Sequence, residues 1–194
     1  MKKILVATIA MLSLFGGRAM AQRNLSGMSA VEIKADMVNG LFTGKSRNSG
    51  YDFGITYSVV KGNHGNTWSF GGEFLQTYKP YGEKGRIPIA QFTGEIGYNL
   101  HLISDYSQTF HLYGGLSALG GYESVNWGKQ VLSDGAVLQA KDAFIYGGTL
   151  NLSADFYLSD HFILGAHVKE RFVFGNDTGH FLTQFGIHVK FIIQ

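Results

Sequence analysis

Residues 179–194 read GHFLTQFGIHVKFIIQ. Phe181, Thr183, Phe185, Ile187, Val189, Phe191 and Ile193 occupy every second place, with Gln184, Gly186, His188 and Lys190 between them. A period of two marks a strand, because successive side chains of an extended chain point to opposite faces. One face here is bulky and apolar, while the other mixes amide, glycine, imidazole and ammonium. Whether the apolar row turns toward a core or toward hydrocarbon depends on how the rest of the chain repeats the pattern.

It repeats almost throughout. The alternation predicts strands at 29–38, 50–60, 67–79, 87–103, 109–123, 143–158, 161–175 and 181–193, eight in all. In the second, Tyr51, Phe53, Ile55, Tyr57 and Val59 oppose Asp52, Gly54, Thr56 and Ser58. In the sixth, Phe144, Tyr146, Leu150, Leu152 and Phe156 oppose Thr149, Asn151, Ser153 and Asp155. A water-facing row would be rich in Lys and Glu; these rows carry Gly, Ser, Thr and isolated charges instead. Charged residues make up only 15% of the 194, against about a quarter in an ordinary soluble domain. The reading that fits is an antiparallel up-and-down β-barrel of the outer-membrane type, polar within and apolar without.

The connections and rings agree. Residues 39–49, 80–86, 124–142 and 176–180 form one set of connections, and the generally shorter 61–66, 104–108 and 159–160 form the other. Transmembrane barrels pair long outer loops with short periplasmic turns. On outward-facing places, Trp68, Tyr98, Phe110, Phe156, Phe162 and Phe191 fall near the inner rim. Tyr51, Tyr78, Tyr122, Tyr146, Phe174 and Phe181 fall near the outer rim, which completes two aromatic girdles. Glu170 and Gln76 fit badly: regular strands put both on the lipid row, so each marks a rim position or a bulge.

The first 21 residues read as a cleaved signal peptide: Lys2 and Lys3, an apolar run from Ile4 to Phe15, then Ala19-Met20-Ala21. Residues 22–194 then form one barrel domain. The signal carries three bases and no acid, which leaves 13 bases against 14 acids and a net charge of about −1. Nothing in that balance suggests direct nucleic-acid binding. With no cysteine, the chain can hold no disulfide or thiolate metal site.

The predicted lumen holds Glu32, Glu73, Glu95, Asp155, Lys169, Arg171 and Lys190, with Lys34 and Asp36. An eight-stranded barrel is just filled by its side chains, so these charges are expected to pair in an internal network. His101, His111, His167 and His188 lie on strands without metal-binding spacing and read as separate lumen or rim residues. Ser117 and Ser153 lack the GxSxG setting of a nucleophile elbow, so no catalytic, cofactor or metal residue is assigned. Two alternatives stand beside a non-enzymatic outer-membrane barrel: an outer-membrane barrel enzyme acting on lipid or peptide, and a soluble periplasmic lipocalin-like binding barrel with the apolar rows turned inward. The 124–142 connection carries Trp127, Val131, Leu132, Val137 and Leu138, apolar side chains suited either to a partner-contact surface or to a plug over the barrel mouth.

AQFTGEIGYNL (90–100), SALGGYESVNWG (117–128), DGAVLQAKDAFIYGG (134–148) and GHFLTQFGIHVKFII (179–193) together resemble the conjugative transposon protein TraO family of Bacteroidetes, over essentially the whole mature chain. The resemblance implies a component of a conjugative, type IV secretion-like apparatus that moves an integrative element's DNA; joined to the barrel reading, it gives a non-enzymatic outer-membrane anchor or scaffold. Its implied partners are other conjugal transfer proteins and outer-membrane lipid, and it assigns no role to any single residue. One departure is that outer-membrane strands often finish on a terminal aromatic, whereas here the ring stands at Phe191.

Overall fold

A computed structural model describes residues 24–39, 49–62, 64–82, 85–132, 135–176 and 178–193. The signal peptide expected at 1–21 lies outside them. The alternating segments form β1 (Ser29–Val38), β2 (Gly50–Lys61), β3 (Asn66–Tyr81), β4 (Gly85–Ser104), β5 (Phe110–Val125), β6 (Ala143–Tyr157), β7 (Phe162–Phe174) and β8 (Phe181–Ile192). Each strand pairs antiparallel with the next, and β1 pairs with β8 to close a barrel. Closure leaves no strand edge with unpaired backbone groups.

The register fixes the geometry. From Leu182 the pairs run through Arg171, Thr149, Ser117, Gly97, Ser69, Ser58 and Ala30, and return to β8 at Ile192, ten residues further on. Eight strands with that stagger tilt by about 40° and enclose a backbone cylinder of roughly 8 Å radius. Each residue then advances about 2.5 Å along the barrel axis.

The faces divide as the alternation requires. Ile33, Phe53, Ile55, Phe92, Ile96, Leu116, Leu150, Val168 and Ile187 lie exposed on the outer surface, while Lys34, Asp52, Glu73, Gln91, Glu123, Asp155 and Arg171 are buried inside. This is the reverse of a soluble ligand-binding barrel, and it removes the lipocalin-like alternative. Rings touch in two bands. At the end carrying the short turns, Trp68 meets Tyr98 at 5.1 Å, Phe110 meets Phe156 at 4.9 Å and Phe162 meets Phe191 at 5.3 Å. At the opposite, loop end, Phe172 meets Phe181 at 5.4 Å and Tyr146 meets Phe174 at 6.2 Å. A contiguous apolar band between aromatic girdles matches the cross-section of a bilayer.

One strand boundary departs from the sequence reading, and the choice between rim and bulge at Gln76 and Glu170 falls against a bulge. The strand ladder of β3 and β4 continues to Tyr81 and Gly85, which shrinks the 80–86 connection to three residues. The register shift found in these pairings lies between His101 and Ile103, not at Gln76 or Glu170. Both of those residues sit in regular strands on the outer row. Gln76 is satisfied at the loop-end girdle, where its amide oxygen accepts from the Tyr51 hydroxyl at 2.9 Å and its nitrogen donates to the Tyr78 hydroxyl at 2.8 Å. Glycine makes one tight pairing possible: a Cβ on Gly121 would overlap the Phe92 carbonyl and come within 2.7 Å of Thr93 Cα.

Candidate functional site

Six of the lumen charges converge on one carboxylate region. Glu73, on the inward row of β3, accepts from Lys34 Nζ, from Lys169 Nζ and, at 3.1 Å, from Arg171 Nη1. Lys169 also donates to both oxygens of Glu95 at 2.9 Å. Arg171 is fully buried; it donates through Nη2 to Thr93 Oγ1 at 2.9 Å and lies 3.6 Å from Asp52. Asp52, which the sequence reading leaves out of the charge set, is held by Gln184 Nε2 at 2.9 Å. Three cations thus meet three carboxylates from five strands, so the cluster links distant parts of the closed sheet.

Glu32, Asp155 and Lys190 form a second group nearer the turn end. Lys190 donates to Asp155 Oδ2 at 2.7 Å, lies 3.3 Å from Glu32 Oε2 and sits 5.6 Å from the centre of the Tyr113 ring. Between the groups stands a histidine pair. His188 Nε2 is 2.8 Å from Asp155 Oδ1, the two Nδ1 atoms of His188 and His167 are 3.1 Å apart, and His167 Nε2 is 3.0 Å from Asp36 Oδ1. That last approach is an electrostatic contact rather than an aligned hydrogen bond. A Cβ on Gly186 would collide with Asp36, so glycine there makes room for the carboxylate.

The four strand histidines are therefore not separate residues. His101 Nε2 and His111 Nδ1 form a second pair at 3.1 Å. The Asn24 amide joins it, donating to the Tyr113 hydroxyl at 2.6 Å and lying 3.2 Å from His111 Nδ1. Cross-strand pairing created both contacts, and the spacing of the histidines in the sequence could not reveal it. Among the described residues, no group of three or more His, Cys, Asp or Glu could hold a metal ion.

The two ends of the lumen differ. At the loop end, Val38, Leu75 and Leu182 form one apolar cluster, and Leu119, Ile145 and Val173 form another. Beyond them Glu123 accepts from Gln91 at 2.8 Å, Asn176 at 2.6 Å and Thr178 at 2.7 Å. At the turn end a cavity of about 100 Å³ runs inward from Met28, Val60, Tyr157 and Ile192 to Lys34 and Lys169, with Ser69, Asn99 and Asn151 among its walls. The lumen is thus packed with apolar side chains at the loop end and holds this cavity toward the turn end. His101 and Ser117 stand apart in the lumen. His101 pairs with Tyr113, and Ser117 lies four residues further along β5, about 13 Å away. Glu95 is engaged by Lys169.

The long connection is anchored on the outer surface. Asn126, Trp127 and Gly128 all have positive φ, of 53°, 55° and 77°. A bulky residue persists there only when its surroundings hold it. The hold is visible: the Trp127 ring stacks on Phe74 at 6.4 Å, and Asp142 accepts from the Val125 backbone N–H at 2.8 Å and from Ser124 Oγ at 3.1 Å. Trp127 therefore extends the loop-end girdle rather than entering the mouth. Farther out, Leu132 N–H donates to the Ala136 carbonyl at 2.9 Å and Leu138 N–H to the Gln130 carbonyl at 2.8 Å. This small hairpin leaves Val131 and Val137 62% and 66% exposed, with Leu132 and Leu138 half-buried.

Neisserial surface protein A superposes with a TM-score of 0.54 at 11% identity, covering 85% of this chain and 97% of that one. Ail, the attachment invasion locus protein of Yersinia pestis, gives 0.51 at 15% identity, covering 87% and 100%. OprG of Pseudomonas aeruginosa gives 0.51 at 14%, covering 86% and 96%. At these identities the likeness is one of fold, and the fold is that of outer-membrane β-barrels. No curated protein sequence matches the chain. Residues 25–193 match the family described as conjugative transposon protein TraO. Since that match runs through all eight strands and their connections, the chain belongs to the TraO family of conjugative transposon proteins.

Proposed function

We propose that this protein is a non-enzymatic outer-membrane component of a conjugative, type IV secretion-like apparatus, serving as an anchor or scaffold. The family supports the transfer role, and the girdled apolar exterior supports residence in the outer membrane. On this reading the turn end faces the periplasm, the loops face outward, and export begins with the signal peptide at 1–21. The observation that carries the scaffold role is the filled loop end of the lumen, where the clusters of Val38, Leu75 and Leu182 and of Leu119, Ile145 and Val173 leave no passage for DNA. The barrel then contributes position, not a conduit, and touches no nucleic acid. It needs no cofactor, and the charges around Glu73 brace the wall rather than act on a substrate.

The surface offered to other transfer proteins is the 126–142 connection, with Trp127 fixing its base and Val131 and Val137 exposed. The test is a photo-cross-linker at position 131 or 137 in cells carrying the complete element, with transfer frequency measured in parallel. Adducts to another transfer protein, together with loss of transfer in Val131→Asp/Val137→Asp at unchanged barrel abundance, support the role. Normal transfer in that variant refutes it.

A further inference from the structure

Between the girdles, the outward row of the described strand residues carries one charged side chain, Glu170. It lies two residues from Phe172 of the loop-end girdle and eight from Phe162 of the turn-end girdle, about 5 Å and 20 Å along the axis, and so within the apolar band. Its neighbours are Leu150 on β6, Thr183 on β8, and Val168 and Phe172 along its own outward row. Thr183 Oγ1 donates to Glu170 Oε2 at 2.6 Å, and among the described residues Oε1 has no hydrogen-bond donor. One hydroxyl donor leaves the charge itself uncompensated, and a carboxylate turned toward hydrocarbon is costly unless a cation meets it.

The register supplies no internal explanation. β7 is regular through Glu170, so the residue is not turned outward by a bulge. Inward-facing Lys169 and Arg171 on either side are taken by Glu73 and Glu95. No Lys, Arg or His of the described strand residues faces outward between the girdles, so a second copy docked on this face would bring another carboxylate rather than a counterion. A lipid headgroup amine belongs at the level of the girdle or beyond it, above Glu170. A Lys or Arg on a neighbouring membrane-embedded segment can reach this depth. Gly148, diagonal to Glu170, leaves bare backbone beside it and room for such a side chain to approach.

We infer that the β7–β8 face around Glu170 and Thr183 is a lateral docking surface for a membrane-spanning segment of another protein that presents a Lys or Arg to the carboxylate. The inference rests on the membrane reading above and does not depend on the transfer role. The test places a photo-cross-linking residue at Val168 in cells carrying the complete element, with Phe70, on the far side of the barrel, as the control site. A discrete adduct with one other membrane protein is expected from position 168, reduced at least tenfold by Glu170→Leu and retained by Glu170→Asp. Once that partner is identified, reversing its basic residue to Glu should restore the adduct to Glu170→Lys. Leucine suits a lipid-facing strand, so gel mobility before and after heating should confirm that Glu170→Leu remains folded; Glu170→Gln provides a second variant. An adduct undiminished in both variants, one of twice the chain's mass, or adducts to lipid alone would each overturn the inference. If the Glu170-dependent adduct persists in cells without the element, the docking surface stands and the transfer role does not.

Discussion

Replacing Glu73 with Gln keeps its size and removes the charge at the point where Lys34, Lys169 and Arg171 meet. The three cations then face only Glu95, on Lys169, and Asp52, 3.6 Å from Arg171. Removing one partner of a buried ion pair typically costs about 3–5 kcal/mol, because the remaining charge stays buried without compensation. Glu73 serves three partners, and its side chain is 1% exposed, so the full range applies. Glu32 is the internal control: its side chain and that of Lys190 are each 16% exposed, and Lys190 keeps Asp155 as a second partner. Glu32→Gln should therefore cost only about 1 kcal/mol. Urea unfolding in lipid vesicles, followed by Trp68 and Trp127 fluorescence, measures both. Combining Lys34→Met with Glu73→Gln should recover part of the loss, because it removes a cation left unpaired. A cost for Glu73→Gln below about 1 kcal/mol, or no greater than that of Glu32→Gln, would refute the view that this cluster braces the wall.

Other consequences are local. Gly121→Ala should lower the folded yield and destabilise the barrel by about 1–3 kcal/mol, since its Cβ overlaps the Phe92 carbonyl. Gly120→Ala, whose Cβ would meet nothing nearer than Phe144 Cζ at 3.9 Å, should be tolerated; heat-dependent gel mobility and urea midpoints separate the two. In the 105–109 turn, Asp105 Oδ1 accepts from the Phe110 and Thr109 backbone N–H groups at 2.8 and 2.6 Å, which holds its carboxyl below the usual aspartate range. A depressed folded pKa means stabilisation present above the unfolded value, about 3.9, and lost as pH falls through the folded one. The Thr109 and Phe110 amide resonances should therefore titrate together with a midpoint below that value, and Asp105→Asn should abolish the step.

The alternation made the eight strands, the two faces and most inward charges legible, because a period of two fixes orientation wherever pairing is regular. Strand ends were less legible: residues 80–86 read as a connection, yet the β3–β4 ladder carries pairing to Tyr81 and Gly85. The histidine pairs were invisible, since His167 and His188 meet only through the β7–β8 register. Asp52 sat in the inward row of β2, but its place beside Arg171 depends on five strands coming together. Trp127 was legible as a distinctive residue, whereas its stacking on Phe74 outside the barrel depends on how the chain turns at Asn126–Gly128.

The claim beneath all of this is that the bulky rows face hydrocarbon and the polar rows face a closed lumen. Because the chain has no cysteine, nitroxide labels can be placed singly along β8 in the protein reconstituted in lipid bilayers. Phe185, Ile187 and Val189 should be open to dissolved oxygen and shielded from a water-soluble nickel reagent, while Gln184, Gly186 and His188 should be shielded from oxygen. Oxygen accessibility that peaks at the even positions, or that does not alternate at all, would contradict the account.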